Sequence, residues 1–378
     1  MKKILYLSPG YFHAREALFI ALSEQFDIKF IEASSRINGI ATEEYLRKVK
    51  TETWKYTHFR LSGLKLKEIP QLIHSIYKEL KNGHYDLVIS STQHPFYAKV
   101  VSFLQPFFKY ELAYVNEAWS YNHKKQTLFS RLYDKMSMNA VKKADYVLNE
   151  GIASTQFMVS KGISPEKCHL WPMSSVDLST KAIVASEELR KSFEDVPSGV
   201  EVKYAYIGRQ TEPKGVLTLL EAFENLDQEH QKKSMLYFVG RGPLSEFLIQ
   251  KSKENQNIRV LNWVDSESLP YVYSQLDFFI NPSHFDGFST VACEAASMSL
   301  PLILTDKVGA VPDIMGTDGV YNDFIVPAKD SQSLSRAITL MIDTPLFKRK
   351  EMGNVIRHNF IKNTGIDVNI HTMKQIAL

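Results

Sequence analysis

The chain has 378 residues, 44% of them hydrophobic and 23% charged, with a formal net charge of +3. That length exceeds one ordinary domain and suits two, and the composition excludes disordered, collagen-like and coiled-coil classes. Its two cysteines, Cys168 and Cys293, lie far apart without a CxxC partner. This argues against a disulfide scaffold or a thiolate metal site and fits a reducing compartment.

The opening segment, KILYLS (3–8), is too short for the roughly 7–15 apolar residues of a secretory leader and reads as a buried strand. No run approaches the roughly 18 apolar residues of a membrane span, so a cytoplasmic protein is expected. Further strands are predicted at 26–33, 85–91, 111–117 and 145–151, with helices at 15–25, 68–83 and 96–108 between them. Residues 121–143 have the spacing of an amphipathic helix with Leu128, Leu132, Met136 and Val141 available for one side. Residues 178–200 are polar, are punctuated by Pro197-Ser198-Gly199, and read as a connection. A second series of strands then follows at 203–209, 234–243, 258–264, 277–283, 300–306 and 323–328. This alternation implies an α/β fold of two doubly wound, Rossmann-like lobes with parallel sheets and right-handed crossovers. Such lobes bind ligands beyond the C-terminal ends of their strands, and a cleft is expected between them.

Charge divides unequally. Residues 1–177 hold 24 Lys and Arg against 17 Asp and Glu, a net of +7, and the remainder nets −4. In the basic half, 102–114 and 121–143 mix basic with aromatic residues. They form either a solvated basic back on a buried helix face or a surface that rests on anionic lipid headgroups. No nucleic-acid motif accompanies the charge, so nucleic acid is not an expected partner.

Three strings concentrate candidate chemistry. In 282–305, a loop after a strand leads into a helix near Ser289-Thr290. The amides of Gly287, Phe288, Ser289 and Thr290 would form an anion-binding helix N-terminus. Asp286 and Glu294, eight residues apart, either hold separate hydroxyls of one extended ligand, or Asp286 caps the helix and Glu294 lies at the surface. In 206–223, Gly208 ends a strand, and Arg209 and Lys214 can converge on one pyrophosphate, the first as a planar fork and the second as a mobile point charge. In 239–244, Gly240 and Gly242 let backbone approach a ring or phosphate. The third glycine of a dinucleotide fingerprint is missing, which disfavours a nicotinamide dehydrogenase.

Taken in order, YIGRQTEPKGV, FVGRGPL, LNWVDSESLPYVYSQLDFFINPS, FDGFSTVACEAASMSLPLILTDKVGAVPDI and GVYNDFIVPAKDSQSLSRAI resemble the group 1 glycosyl transferases, the large retaining family with the two-lobed GT-B fold. The resemblance implies an acceptor-binding lobe at 1–178, a nucleotide-sugar-binding lobe at 200–352, and a C-terminal run, 353–378, that packs back on the first lobe. By resemblance, Arg209 and Lys214 neutralise the donor diphosphate and Glu294 holds the ribose. Asp286 stands beside the donor sugar where the family usually has Glu. Gly287 to Thr290 meet sugar and phosphate, Gly240, Arg241 and Gly242 line the nucleoside pocket, and Asn262 to Val264 flank the base. Gly10 is the phosphate-contact glycine of the first loop. Asn116 and Glu117 occupy the place where many relatives carry an acceptor-side histidine, and Glu117 is the candidate to orient an acceptor hydroxyl or serve as base. His13, His94 and His123 are further possible acceptor contacts.

The implied reaction is sugar transfer, with retention, from a UDP- or GDP-sugar to a carbohydrate acceptor, lipid-linked at the inner membrane face, in surface-polysaccharide assembly. No cofactor and no metal are expected, because the two cations supply the charge. A nucleotide-sugar epimerase of the same fold and a non-catalytic nucleotide-sugar-binding scaffold are the alternatives.

Overall fold

The computed structural model describes residues 1–8, 15–33, 49–54, 69–91, 95–116, 128–173 and 177–378. The chain divides into two units, 1–174 with 365–378, and 175–364.

The first unit runs β1 (Lys3–Ser8), α1 (Glu16–Gln25), β2 (Asp27–Ala33), β3 (Thr51–Trp54), α2 (Ile69–Gly83), β4 (Leu87–Ser91), α3 (Pro95–Phe108), β5 (Glu111–Asn116), α4 (Leu128–Lys143), β6 (Tyr146–Asn149), α5 (Ile152–Ser160) and β7 (Cys168–Leu170). Its seven parallel strands lie in the order β3-β2-β1-β4-β5-β6-β7. The almost uninterrupted apolar strands β1 and β5 are buried on both faces, as parallel strands must be when helices cover each side. One face carries Leu72, Ile76 and Leu80 of α2, Val100, Val101 and Leu104 of α3, and Ala140 and Val141 of α4. The other carries Leu18, Phe19 and Leu22 of α1.

The second unit continues with α6 (Glu187–Glu194), β8 (Val202–Ile207), α7 (Val216–Glu224), α8 (Gln228–Lys233), β9 (Ser234–Val239), α9 (Ser245–Glu254), β10 (Ile258–Leu261), α10 (Leu269–Ser274), β11 (Phe278–Asn281), α11 (Thr290–Ser297), β12 (Leu302–Thr305), α12 (Val311–Ile314), β13 (Ile325–Val326), α13 (Ser331–Asp343) and α14 (Leu346–Thr364). Its sheet order is β10-β9-β8-β11-β12-β13. Both sheets therefore reverse direction beside their first strand, between β1 and β4 and between β8 and β11. That is where a doubly wound sheet opens a crevice at its strand C-termini.

Four sequence expectations change. Strands β3 and β7 were not predicted, since TETW and CHL are too short and polar to carry a strand pattern. Residues 178–200 are not a bare connection. Ser186 caps α6 by accepting from the Leu189 amide, and Phe193 is fully buried, stacked on Tyr237 at 4.5 Å between centroids. Leu132 does not join an inward face of α4: it is 56% exposed, while Ala140 and Val141 turn inward. Finally, 353–364 belongs to α14 of the second unit, where Gly353 lies so close to the Ser299 carbonyl that a Cβ would sit 1.9 Å from it. Only α15 (Ile366–Ala377) returns to the first unit. There it buries Ile370, Met373, Ile376 and Ala377 in the core against α1. Asn369 and Thr372 donate to the carbonyls of Pro172 and Leu170 at 3.1 and 2.8 Å.

Candidate active site

The predicted donor-site residues of the second unit lie in the segments that follow the C-terminal ends of β8, β9, β10 and β11, most of them in loops and Thr290 and Glu294 in helix α11. Two of these loops flank the reversal between β8 and β11, and close backbone contact locks them together. Gly215 has φ +71°, and a Cβ there would lie 1.9 Å from the Pro282 carbonyl oxygen. The His284 amide donates to the Pro213 carbonyl at 3.0 Å, and the His284 ring nitrogen Nε2 is 3.0 Å from the Thr218 hydroxyl. Sequence spacing predicts the loops but not their junction, which depends on Gly215 and Pro282 meeting across 66 intervening residues.

Across that junction the Lys214 Nζ reaches the Asp286 Oδ2 at 2.7 Å. Lys214 therefore does not stand open beside Arg209 as expected, since Asp286 already holds its ammonium. Arg209 is exposed, and its carbonyl accepts the Tyr206 hydroxyl at 2.8 Å. Burial pushes the Tyr206 hydroxyl well above its ordinary range, with Asp286 adding to the shift and Arg209 opposing it. Arg209 and Asp286 thus both act on one buried tyrosine.

The Asp286 backbone is fixed on both sides. Its amide donates to Lys307 at 2.9 Å and its carbonyl accepts from Gly309 at 3.0 Å. Asp286 does not cap α11. Ser289 does, accepting from the Ala292 amide at 3.3 Å and from Asn281 Nδ2 at 2.7 Å. Ser289 takes φ +75°, a left-handed backbone rare for a residue with a Cβ. Such strain persists only where surrounding contacts impose it, and here Asn281 does so. Among the described residues, the amides of Gly287, Phe288, Ser289 and Thr290 donate to no backbone carbonyl. A Cβ built on Gly287 would meet nothing within 4 Å. Four amides at a helix start, beside open space, can receive an anion.

Glu294 is half-buried, not the open-surface residue of the simpler alternative. Its carboxyl accepts from the Tyr273 hydroxyl at 2.9 Å. Burial raises its pKa from 4.5 to about 7, with the tyrosine hydrogen bond pulling the other way.

Gly240 and Gly242 serve packing. Their absent Cβ atoms would lie 2.1 and 2.3 Å from the carbonyl oxygens of Gly208 and Gln210. Their smallness seats one loop on the other, a role that the expectation of a ring or phosphate contact did not include. The Gln210 amide donates to the Arg241 carbonyl at 3.0 Å, which adds to this seating. Arg241 is exposed, and Val264 is half-buried beyond β10. Beside it Trp263 is 71% exposed, a large apolar ring left in solvent.

In the first unit, Asn116 is a buried structural residue. Its side-chain nitrogen donates to Asn149 Oδ1 at 3.1 Å and to the Ser154 hydroxyl at 2.7 Å. Gly10, Glu117, His13, His94 and His123 lie outside the described residues. Sequence reasoning passed over Tyr206, Tyr273 and Asn281, which read as strand or helix filler until tertiary contact gives them partners.

The two doubly wound units and these loops define a GT-B fold, and comparison with known proteins agrees. Residues 201–344 match the family described as Glycosyl transferases group 1, so the resemblance read from the sequence is borne out and the second unit carries that family's pattern. TuaC of Bacillus subtilis, provisionally named a teichuronic acid biosynthesis glycosyltransferase, is 27% identical over 303 residues, covering 76% of this chain and 66% of TuaC. The N-acetylgalactosamine-N,N'-diacetylbacillosaminyl-diphospho-undecaprenol 4-alpha-N-acetylgalactosaminyltransferase of Campylobacter jejuni is 25% identical over 219 residues, 57% of this chain and 56% of that enzyme. The chain thus spans just under two thirds and about half of these relatives' lengths. HepE from Anabaena, solved in complex with UDP and glucose, superimposes with a TM-score of 0.70 over 100% of this chain and 99% of HepE, at 17% identity.

Proposed function

We propose that this protein is a retaining glycosyltransferase that moves a sugar from a UDP- or GDP-sugar to a carbohydrate acceptor in surface-polysaccharide assembly. The observation that carries this reading is the convergence of Lys214, Asp286, the strained Ser289 turn and the amides of 287–290 where β8 and β11 part. Breaking a sugar–diphosphate bond builds negative charge on the leaving oxygen while the sugar becomes cationic. Fixed cations and helix-start amides at that oxygen stabilise the transition state more than the ground state. Arg209 and Lys214 supply this charge without a metal. Glu294 holds the ribose hydroxyls, and Asp286 lies next to the donor sugar. Glu117 addresses the acceptor.

The relatives' names, which concern teichuronic acid and a diphospho-undecaprenol substrate, support a glycan acceptor carried on a lipid diphosphate. Features of the first unit support a peripheral site at the inner membrane face. Its helices α2, α3 and α4 pack inward on one sheet face, so their backs form one surface. On it Phe103 and Phe107 are 70% and 68% exposed. The exposed charges of these helices are Lys78, Lys81, Lys99, Lys135, Lys142 and Lys143, with no exposed acid among the described residues. Lysines around apolar side chains suit anionic headgroups. Among the described residues no helix is long and apolar enough to cross a membrane.

Titrating the purified protein with UDP- and GDP-sugars while following thermal unfolding tests the donor assignment, because a bound donor raises the midpoint. Lys214→Ala should remove most of that shift and lower turnover about a hundredfold, the scale of losing one charge-stabilising group. No stabilisation by any nucleotide sugar, or normal turnover in Lys214→Ala, would refute the reading.

A further inference from the structure

The Lys214–Asp286 pair poses a problem for an anion site. The ammonium assigned to the diphosphate is already bound to a carboxylate at 2.7 Å, with side-chain exposures of only 27% and 14%. Neither partner is carried on a freely moving loop. The Lys214 loop is held by the Gly215–Pro282 contact and by the bond from His284 to Pro213. The Asp286 backbone is held by Lys307 and Gly309. The pairing is therefore built into the frame of the loops, and any diphosphate must compete with it.

We propose that Asp286 is the resident counterion of Lys214: an arriving diphosphate displaces it, and it reclaims the ammonium as the nucleoside diphosphate product leaves. This rests on the donor-site reading above. Asp286 is then a positioning residue that acts on the product through Lys214. While the site is empty it keeps a partly buried ammonium compensated, and while the site is full it weakens the hold on a product that would otherwise leave slowly. A carboxylate of this length is suited to the task, because its fixed backbone brings Oδ2 directly onto Nζ. Asn281 Nδ2 stands 3.5 Å from the same oxygen and engages Ser289 at 2.7 Å.

The test is a double-mutant cycle on anion binding, with UDP, GDP and inorganic pyrophosphate as probes at fixed ionic strength. Removing a competing counterion should tighten binding. Asp286→Asn should lower the Kd of the bound probe about five- to tenfold, within the range of couplings between residues in contact. In a Lys214→Met background the same change should alter Kd less than about twofold, because no ammonium remains to be released. Unfolding midpoints near that of the wild type establish that each variant is folded. Equal tightening in both backgrounds would mean that Asp286 only repels anions, and would overturn the proposal. So would unchanged or weaker binding in Asp286→Asn while Lys214→Met weakens binding in the wild-type background. Failure of the wild type and Asp286→Asn to bind any of the three probes would refute the donor-site reading itself, and the counterion role with it.

Discussion

Glu294 offers a quantitative test of the environment that the second unit builds. Its carboxyl is desolvated, and its pKa is raised from 4.5 to about 7. Its hydroxyl partner, Tyr273, is fully buried and also contacts the Val291 carbonyl at 3.2 Å. Between pH 4.5 and 7 the folded protein keeps a proton at this site that the unfolded chain has released. Stability from this group is therefore fully present below about pH 4.5 and is lost as the pH rises through 7. At about 1.36 kcal/mol per pH unit, the interval corresponds to roughly 3 kcal/mol, an upper figure for a group that relaxation can partly rehydrate. Glutamine keeps the shape of the protonated acid and cannot ionise. Denaturant unfolding of wild type and Glu294→Gln at pH 5, 6, 7 and 8 should show the variant gaining on the wild type by about 2–3 kcal/mol across that range. Parallel pH profiles would refute the argument. If Glu294 holds ribose hydroxyls as an ionised acceptor, nucleotide binding near pH 6.5 should also release a proton, measurable as a buffer-dependent binding enthalpy.

Gly215→Ala should destabilise by about 2 kcal/mol or more, since the new Cβ combines a left-handed backbone with a collision at the Pro282 carbonyl; thermal unfolding measures it. Gly287→Ala should leave stability within about 0.5 kcal/mol of wild type, because its Cβ meets nothing, yet weaken nucleotide-sugar binding by filling space assigned to phosphate. Phe103→Ser with Phe107→Ser should reduce sedimentation with phosphatidylglycerol vesicles without lowering the unfolding midpoint, since both rings are already in water. Added salt should reduce that sedimentation for the parent chain. Equal binding to neutral vesicles would count against the lysine-ringed face.

Much of the architecture was legible because buried parallel strands announce themselves: KILYLS, YAYI and FFIN leave no room for polar alternation, and both sheets follow. The motif loops were legible too, since Gly-x-Gly and a helix start after a strand are local patterns. Their physical partnership was not. Nothing in the spacing of Lys214 and Asp286 shows a 2.7 Å ion pair, because they stand 72 positions apart and the Gly215–Pro282 contact and the His284–Pro213 hydrogen bond close the distance. The packing role of Gly240 and Gly242 was hidden for a related reason. A glycine demanded by a neighbouring backbone has the same one-letter signature as a glycine demanded by a ligand. Residues 353–364 were misassigned because a long helix and its successor, split at Gly365, read as one polar-apolar run until packing gives each half its own core.

The returning helix α15 also bears on how the chain comes to be folded. Synthesis proceeds from the amino end, and domains generally fold as they emerge. Here the earlier-made unit must wait, since Ile370, Met373 and Ile376 of its own core are translated after the whole of 175–364. The later-made unit is contiguous and can close first. The nascent first unit is consequently left with an uncovered apolar patch beside Leu18, Phe19 and Leu22 for as long as nearly two hundred codons take to read.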